Sequence, residues 1–220
     1  MKRIDCYLDF ISPYAYLAFE QLPQALLGLS YELRYQPILF AGLLRHHGQL
    51  GPAEIASKRD WTYRQVLWLA RQQGIEMRLP AAHPFNPLPL LRLAWACARQ
   101  GAPNRYAVET IFHHVWRSGA AADDPARLAQ LEQALAPALD PQGEVARQTL
   151  RDATDAALAA GVFGVPSFVV EGRLFWGLDA LPMLRAQLAG GEDGAALDTL
   201  WPQALDVGAG VARARPGNQA

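Results

Sequence analysis

"RIDCYLDFISPYAYL", Arg3 to Leu17, holds the junction on which the fold turns. Ile4, Cys6, Leu8 and Phe10 alternate with Arg3, Asp5, Tyr7 and Asp9, the period-two pattern of a strand. Ser12 then suits a helix N-cap, and Pro13 suits the first helical position, where a missing N–H costs nothing. The spacing predicts a strand over 3–10 feeding a helix that ends near Leu27. "SYELRYQPI", Ser30 to Ile38, alternates again and predicts a second strand, stopped by Pro37.

Beyond that β-α-β start the character changes. Lys58–Gly74, His83–Gly101, Arg105–Gly119 and Asp124–Leu139 read as helices, the second opened by a proline-punctuated turn. Val108, Ile111, Phe112 and Val115 share one face of the third. A helix over Glu144–Ala160 precedes "GVFGVPSFVVEGRLFWGLDAL", Gly161 to Leu181. There "SFVV" and "RLFWG" form two short strands joined by Glu171-Gly172, a compact hairpin turn. Leu181–Leu188 is a last helix, and after Gly190 the chain turns Gly- and Ala-rich. The order β-α-β … α-β-β-α predicts an α/β fold: one mixed sheet with helices on its faces and a large all-helical insertion. The expected parts are 1–41 with 144–205, an insertion over 42–143, and a disordered tail over 206–220.

Composition narrows the function. With 220 residues, 51% of them hydrophobic, the chain suits one domain of ordinary size, with or without an insertion. A net charge of −1 offers no basic excess for nucleic acid. No apolar run approaches the ~20 residues of a membrane span. Asp5 and Asp9 interrupt what an export signal would keep apolar, so a cytoplasmic protein is expected. Cys6 and Cys97 stand in separate apolar segments and read as buried core thiols, without CxxC or zinc spacing. His46-His47 and His113-His114 are adjacent pairs that cannot converge on one helix face, so no metal is expected.

The βαβ start, with a strand-to-helix junction and "GVP" before the hairpin, resembles the thioredoxin fold with a helical insertion. Where disulfide-handling members carry CxxC, this chain has Ser12-Pro13-Tyr14-Ala15. Disulfide exchange needs a thiolate, so dithiol chemistry is excluded at this position. "FISPYAYL", "HPFNPLPLLR", "GVFGVPSFVV" and "LFWGLDAL" together resemble the 2-hydroxychromene-2-carboxylate isomerases, glutathione-dependent enzymes related to kappa-class glutathione transferases and DsbA-like proteins. The resemblance spans Arg3 to Leu188.

It implies a glutathione-dependent isomerase, joining a cyclic hemiketal acid and an unsaturated 2-oxo acid through a glutathione thiolate adduct. A kappa-like conjugating transferase and a non-enzymatic DsbA-like thiol- or peptide-binding domain are the alternatives. Ser12 is the implied catalytic residue, steadying the thiolate at a helix start. Locally the same serine is a sufficient N-cap. Val165, Pro166, Trp176, Gly177, Leu178 and Asp179 are the other implied glutathione contacts. The resemblance implies a cis Pro166 that leaves the Val165 N–H and C=O free for the tripeptide, although a trans proline at a strand start fits the local sequence equally. Asp179 also reads as the N-cap of the following helix.

For the second substrate, a small aromatic or unsaturated acid, Tyr14, Lys58, Trp61 and Asn86 are candidates, with Arg64 either beside them or on a solvated helix face. The family places a substrate-facing lysine after the second strand. Phe40–His47 here reads "FAGLLRHH", without a lysine, and Arg45 is the candidate that either takes its place against the substrate carboxylate or points elsewhere. The resemblance also implies a homodimer.

Overall fold

The computed structural model describes residues 1–98 and 101–205. The element order is β1 (Lys2–Leu8), α1 (Pro13–Ala25), β2 (Tyr31–Pro37), α2 (Phe40–His47), α3 (Ala56–Gln72), α4 (Leu88–Ala96), α5 (Arg105–Trp116), α6 (Pro125–Leu135), α7 (Glu144–Ala159), β3 (Ser167–Val170), β4 (Arg173–Trp176), α8 (Leu181–Ala189) and α9 (Gly191–Leu205). Single 3-10 turns at Pro52–Glu54 and Leu178–Ala180 complete it. The four strands form one mixed sheet in the order β2-β1-β3-β4. β1 pairs parallel with β2 and antiparallel with β3, and β3 pairs antiparallel with β4. The tail expected over 206–220 lies outside the described residues.

β1 is central, so both its faces are covered. Ile4, Cys6 and Leu8 face the larger core, which also holds Phe19, Phe112 and Trp116. Tyr7 faces a smaller core on the other side, with Ile38, Leu43, Ala157 and Val165. The alternation expected to expose Tyr7 and Asp9 is therefore overridden: Tyr7 is 9% and Asp9 0% exposed. β1 also ends at Leu8, two residues earlier than the pattern implied.

Several helices follow local signals. Ser12, Asn104 and Asp124 cap α1, α5 and α6 by accepting from the N–H of Ala15, Ala107 and Arg127. Val108, Ile111, Phe112 and Val115 are wholly buried. Two helices lack such signals. α2 has no side-chain cap, and the boundary expected at 41/42 falls inside it. α9 opens on the second residue of the Gly190-Gly191 pair and contains Pro202. Its Trp201 packs on Phe175, with ring centroids 5.1 Å apart.

Cys97 caps the C-terminal end of α4 and is half-buried, not a core thiol, whereas Cys6 is 4% exposed. Among the described residues no helix is long and apolar enough to cross a membrane.

Candidate active site

Two cavities adjoin at the start of α1. The first, about 740 Å³, lies between α1, α3 and the turn after β4, and carries Gln21, Gln65, Gln73, Asp179 and Arg185. The second, about 960 Å³, lies under α2 and α3 and is walled by Phe40, Leu44, Trp61, Phe85 and Phe163. Tyr14, Val165 and Trp176 line both. They form the partition. The Tyr14 hydroxyl donates to Gln65 Oε1 at 2.7 Å, which fixes that side of it against α3.

Ser12 lines the second cavity and is 7% exposed. Its Oγ accepts the Ala15 N–H at 3.2 Å and donates to the Val165 carbonyl at 3.3 Å. The Val165 C=O is thus engaged by the serine and is not free as the resemblance implied. The Val165–Pro166 bond is cis, and the Pro166 carbonyl accepts the Gly177 N–H at 2.9 Å. That bond draws the turn after β4 toward the cis-proline loop. Gly177 has φ +99°, a backbone that side-chain-bearing residues rarely adopt, and any Cβ there would meet Asp179 Oδ1.

Pro166, Trp176, Gly177, Leu178 and Asp179 all line the first cavity. Asp179 sits in the 3-10 turn and is not the N-cap of α8; Ala180 takes that place, because the turn inserts before the helix begins. Lys58 and Trp61 line the second cavity, both exposed toward solvent. Two expected contacts are not brought in. Arg45 is exposed and lines neither cavity, because helical spacing turns Phe40, Ala41 and Leu44 inward instead. Asn86 is likewise outside: its side chain accepts the Leu88 N–H at 3.2 Å, a local turn bond that holds it against the chain. Arg64 is exposed and lines neither cavity. The cations lining the second cavity are Lys58 and Arg59.

Sequence reasoning missed three polar groups there. Asp9 is wholly buried at its edge, accepting the Ile11 N–H at 3.2 Å and the Phe40 N–H at 2.9 Å. Burial pushes its carboxyl up to about 7 against those bonds. Tyr63 and His83 meet on the wall, Oη to Nδ1 at 2.8 Å. Burial lowers the His83 pKa and raises that of Tyr63. His113 and His114 diverge, whereas the His46 and His47 rings meet edge to face with centroids 5.0 Å apart. His113 bonds Glu20 at 2.7 Å, and His114 bonds the Ala122 carbonyl at 2.8 Å.

A central mixed sheet, a helix opening at the parallel pair and a cis-proline loop facing it define a thioredoxin-type domain. The family described as the DSBA-like thioredoxin domain matches residues 3–189, and the chain belongs to it. Within it, the chain is 27% identical to a 2-hydroxychromene-2-carboxylate isomerase of Sphingobium xenophagum over 85% of this chain and 98% of that one. It is 25% identical to glutathione s-transferase kappa 2 of Caenorhabditis elegans, over 86% and 92%. A solved 2-hydroxychromene-2-carboxylate isomerase superposes with a TM-score of 0.69 at 26% identity, covering 94% of this chain and all of that one.

Proposed function

We propose that this chain is a glutathione-dependent isomerase that interconverts a cyclic hemiketal acid of the 2-hydroxychromene-2-carboxylate type with its unsaturated 2-oxo acid. One observation carries the reading: two cavities of different character meet at Val165 and Trp176, beside a helix start that bears a hydroxyl and no thiol. Bound glutathione supplies the nucleophilic thiol that the chain lacks there. The relatives named as isomerases and as a kappa-class transferase support the same chemistry.

The residues present fit a tripeptide. In this reading Val165 and Pro166 meet its cysteinyl backbone, and Trp176, Gly177 and Leu178 flank its γ-glutamyl end. Asp179 is exposed and offers its carboxylate to the ammonium group. Ser12 has one proton, given at 3.3 Å to the Val165 carbonyl; a bound thiolate takes that proton's hydrogen bond in the carbonyl's place. A long neutral bond is exchanged for a charge-assisted one, which favours the ionised thiol together with the partial positive charge of the α1 start. Lys58 and Arg59 then hold the substrate carboxylate, Tyr14 and Trp61 its ring. Segments 1–41 and 144–205 supply the named glutathione contacts with α3 closing that cavity, and the helical stretch 42–143 covers the second substrate. The same reading makes the protein a cytoplasmic homodimer, and sedimentation at twice the chain mass tests the dimer.

Incubation with 2-hydroxychromene-2-carboxylate tests the function. Interconversion is expected only when glutathione is added, with no loss of free thiol. One thiol consumed per turnover would instead establish conjugation, which the kappa-class relative favours. No turnover of either kind would overturn both.

A further inference from the structure

Tyr63 and His83 are twenty residues apart in the chain and meet on the wall of the second cavity. Tyr63 stands on α3, and His83 lies in the connection to α4. Tyr63 Oη is 2.8 Å from His83 Nδ1 and 3.1 Å from the His83 carbonyl oxygen, which shares its proton as the more distant acceptor, and His83 Nε2 is 2.8 Å from the Ile11 carbonyl oxygen. A carbonyl oxygen only accepts, so Nε2 carries the imidazole proton and Nδ1 presents its lone pair to the Tyr63 hydroxyl. The imidazole is held between Phe85 and Trp116, whose ring centroids are 6.0 and 5.6 Å away. Ile11 precedes Ser12, so the pair is tied to the loop that carries the serine.

We propose that Tyr63 and His83 form a proton relay that opens and closes the hemiketal ring of the substrate. The proposal rests on the isomerase reading and adds to it the groups that move the proton. When the ring opens, the proton leaves the C2 hydroxyl, and that oxygen becomes the keto oxygen. The bond from C2 to the ring oxygen breaks, and its electron pair stays on the ring oxygen as phenolate. Tyr63 Oη takes the departing proton while its own passes to His83 Nδ1. The reverse pair of transfers protonates the phenolate, so the cycle conserves protons. The position of the pair suits this: an acceptor aimed through a tyrosine that is partly exposed to the cavity, with the opposite nitrogen anchored.

The charged and titratable surroundings are few. Arg59 and Asp60 on α3 act on Tyr63 in opposite senses, the first favouring its ionised form. Asp9, Glu54 and Lys58 line the same cavity. Burial lowers the His83 pKa and so favours the neutral imidazole, with the Ile11 carbonyl opposing more weakly.

The test uses the full chain with 2-hydroxychromene-2-carboxylate and glutathione, as wild type, Tyr63→Phe and His83→Gln. Each substitution is expected to lower kcat by roughly a hundredfold or more, the range of general acid–base catalysis, with glutathione affinity unchanged. The wild-type rate is expected to fall as pH drops through the His83 pKa, and His83→Gln to lose that limb. A Tyr63→Phe enzyme with kcat within threefold of wild type and an unaltered pH profile would overturn the relay, leaving a contact that only braces the loop. Nitrogen-15 NMR of the imidazole reads the relay without turnover. A proton on Nε2 is expected, and 2-naphthol, standing in for the opened phenol, is expected to shift Nδ1 in wild type but not in Tyr63→Phe. A proton on Nδ1, or no response to 2-naphthol, would overturn it. Absence of isomerisation with the NMR response intact would refute the isomerase reading alone.

Discussion

The Asp9 carboxyl is wholly buried, yet its bonds go to the N–H groups of Ile11 and Phe40 and to no cation among the described residues. Its pKa is raised from 3.8 to about 7. Between those values the folded chain holds a proton that the unfolded chain has lost. The group's contribution to stability therefore declines as pH rises through that window, by up to ~1.4 kcal/mol per pH unit. His83 and His114 shift the other way, their pKa values lowered by burial, so wild type alone would mix opposite slopes. The difference between wild type and Asp9→Asn isolates the carboxyl. Denaturant unfolding is expected to show that difference moving against wild type from pH 4 to pH 8, and a constant difference would refute the assignment. Gly164 offers a second residue-level test. A Cβ there would stand 2.5 Å from Trp176 Nε1, and the half-exposed indole would have to swing aside. Gly164→Ala is expected to weaken glutathione binding about tenfold, ~1.4 kcal/mol, by moving the partition. Unchanged affinity in calorimetry would show that Trp176 does not shape the first cavity.

At the level of elements, what was legible in the sequence is what is held locally. α1 is announced by Ser12-Pro13 and α5 by its apolar face, and in the structure Ser12 and Asn104 each cap their helix within three residues. α2 is held from afar. Its preceding residue Leu39 gives its N–H to Thr154 at 3.1 Å, and Phe40 gives its own to Asp9, 115 and 31 residues away in sequence. No local pattern in "FAGLLRHH" encodes those partners. α9 is comparable, fastened by Trp201 on Phe175 and by an Arg173–Asp198 ion pair at 2.6 Å. The implied site divides the same way. Ser12, Val165, Pro166 and Trp176 to Asp179, strung on motifs, line the adjoining cavities, as do Tyr14, Lys58 and Trp61. Arg45 and Asn86, chosen by type within a stretch, do not. Tyr63 and His83 stayed hidden because their meeting depends on how the α3–α4 connection folds back. Thr154→Val measures the long-range cap. It strands the Leu39 N–H and is expected to cost about 1–3 kcal/mol in urea unfolding with an unchanged m-value. A loss below a few tenths of that would mean α2 needs no such support.

For the whole molecule, the helical stretch between β2 and β3 does more than cover the sheet. α4 and α5 send Trp95 and Trp116 to the carbonyls of Pro37 and Phe10, each at 2.9 Å, so the helices are tied to the ends of β2 and β1 and share one core with the sheet. The first cavity is built by α1, α3 and the cis-proline side of the sheet; α2 and α3 roof the second. A ligand spanning the partition would touch both halves of the chain and stabilise them together. Such binding is expected to raise the unfolding free energy by about 2.7 kcal/mol at a hundredfold excess over Kd. The account stands or falls on where the reactive sulfur comes from and what acidifies it. The most direct measurement is the ultraviolet titration of the thiol of bound glutathione, on wild type and on Ser12→Ala. The expected result is ionisation well below the ordinary thiol value of about 8.5 on wild type, moving back toward it in the variant. A bound thiol that titrates at its ordinary value on both proteins would contradict the account.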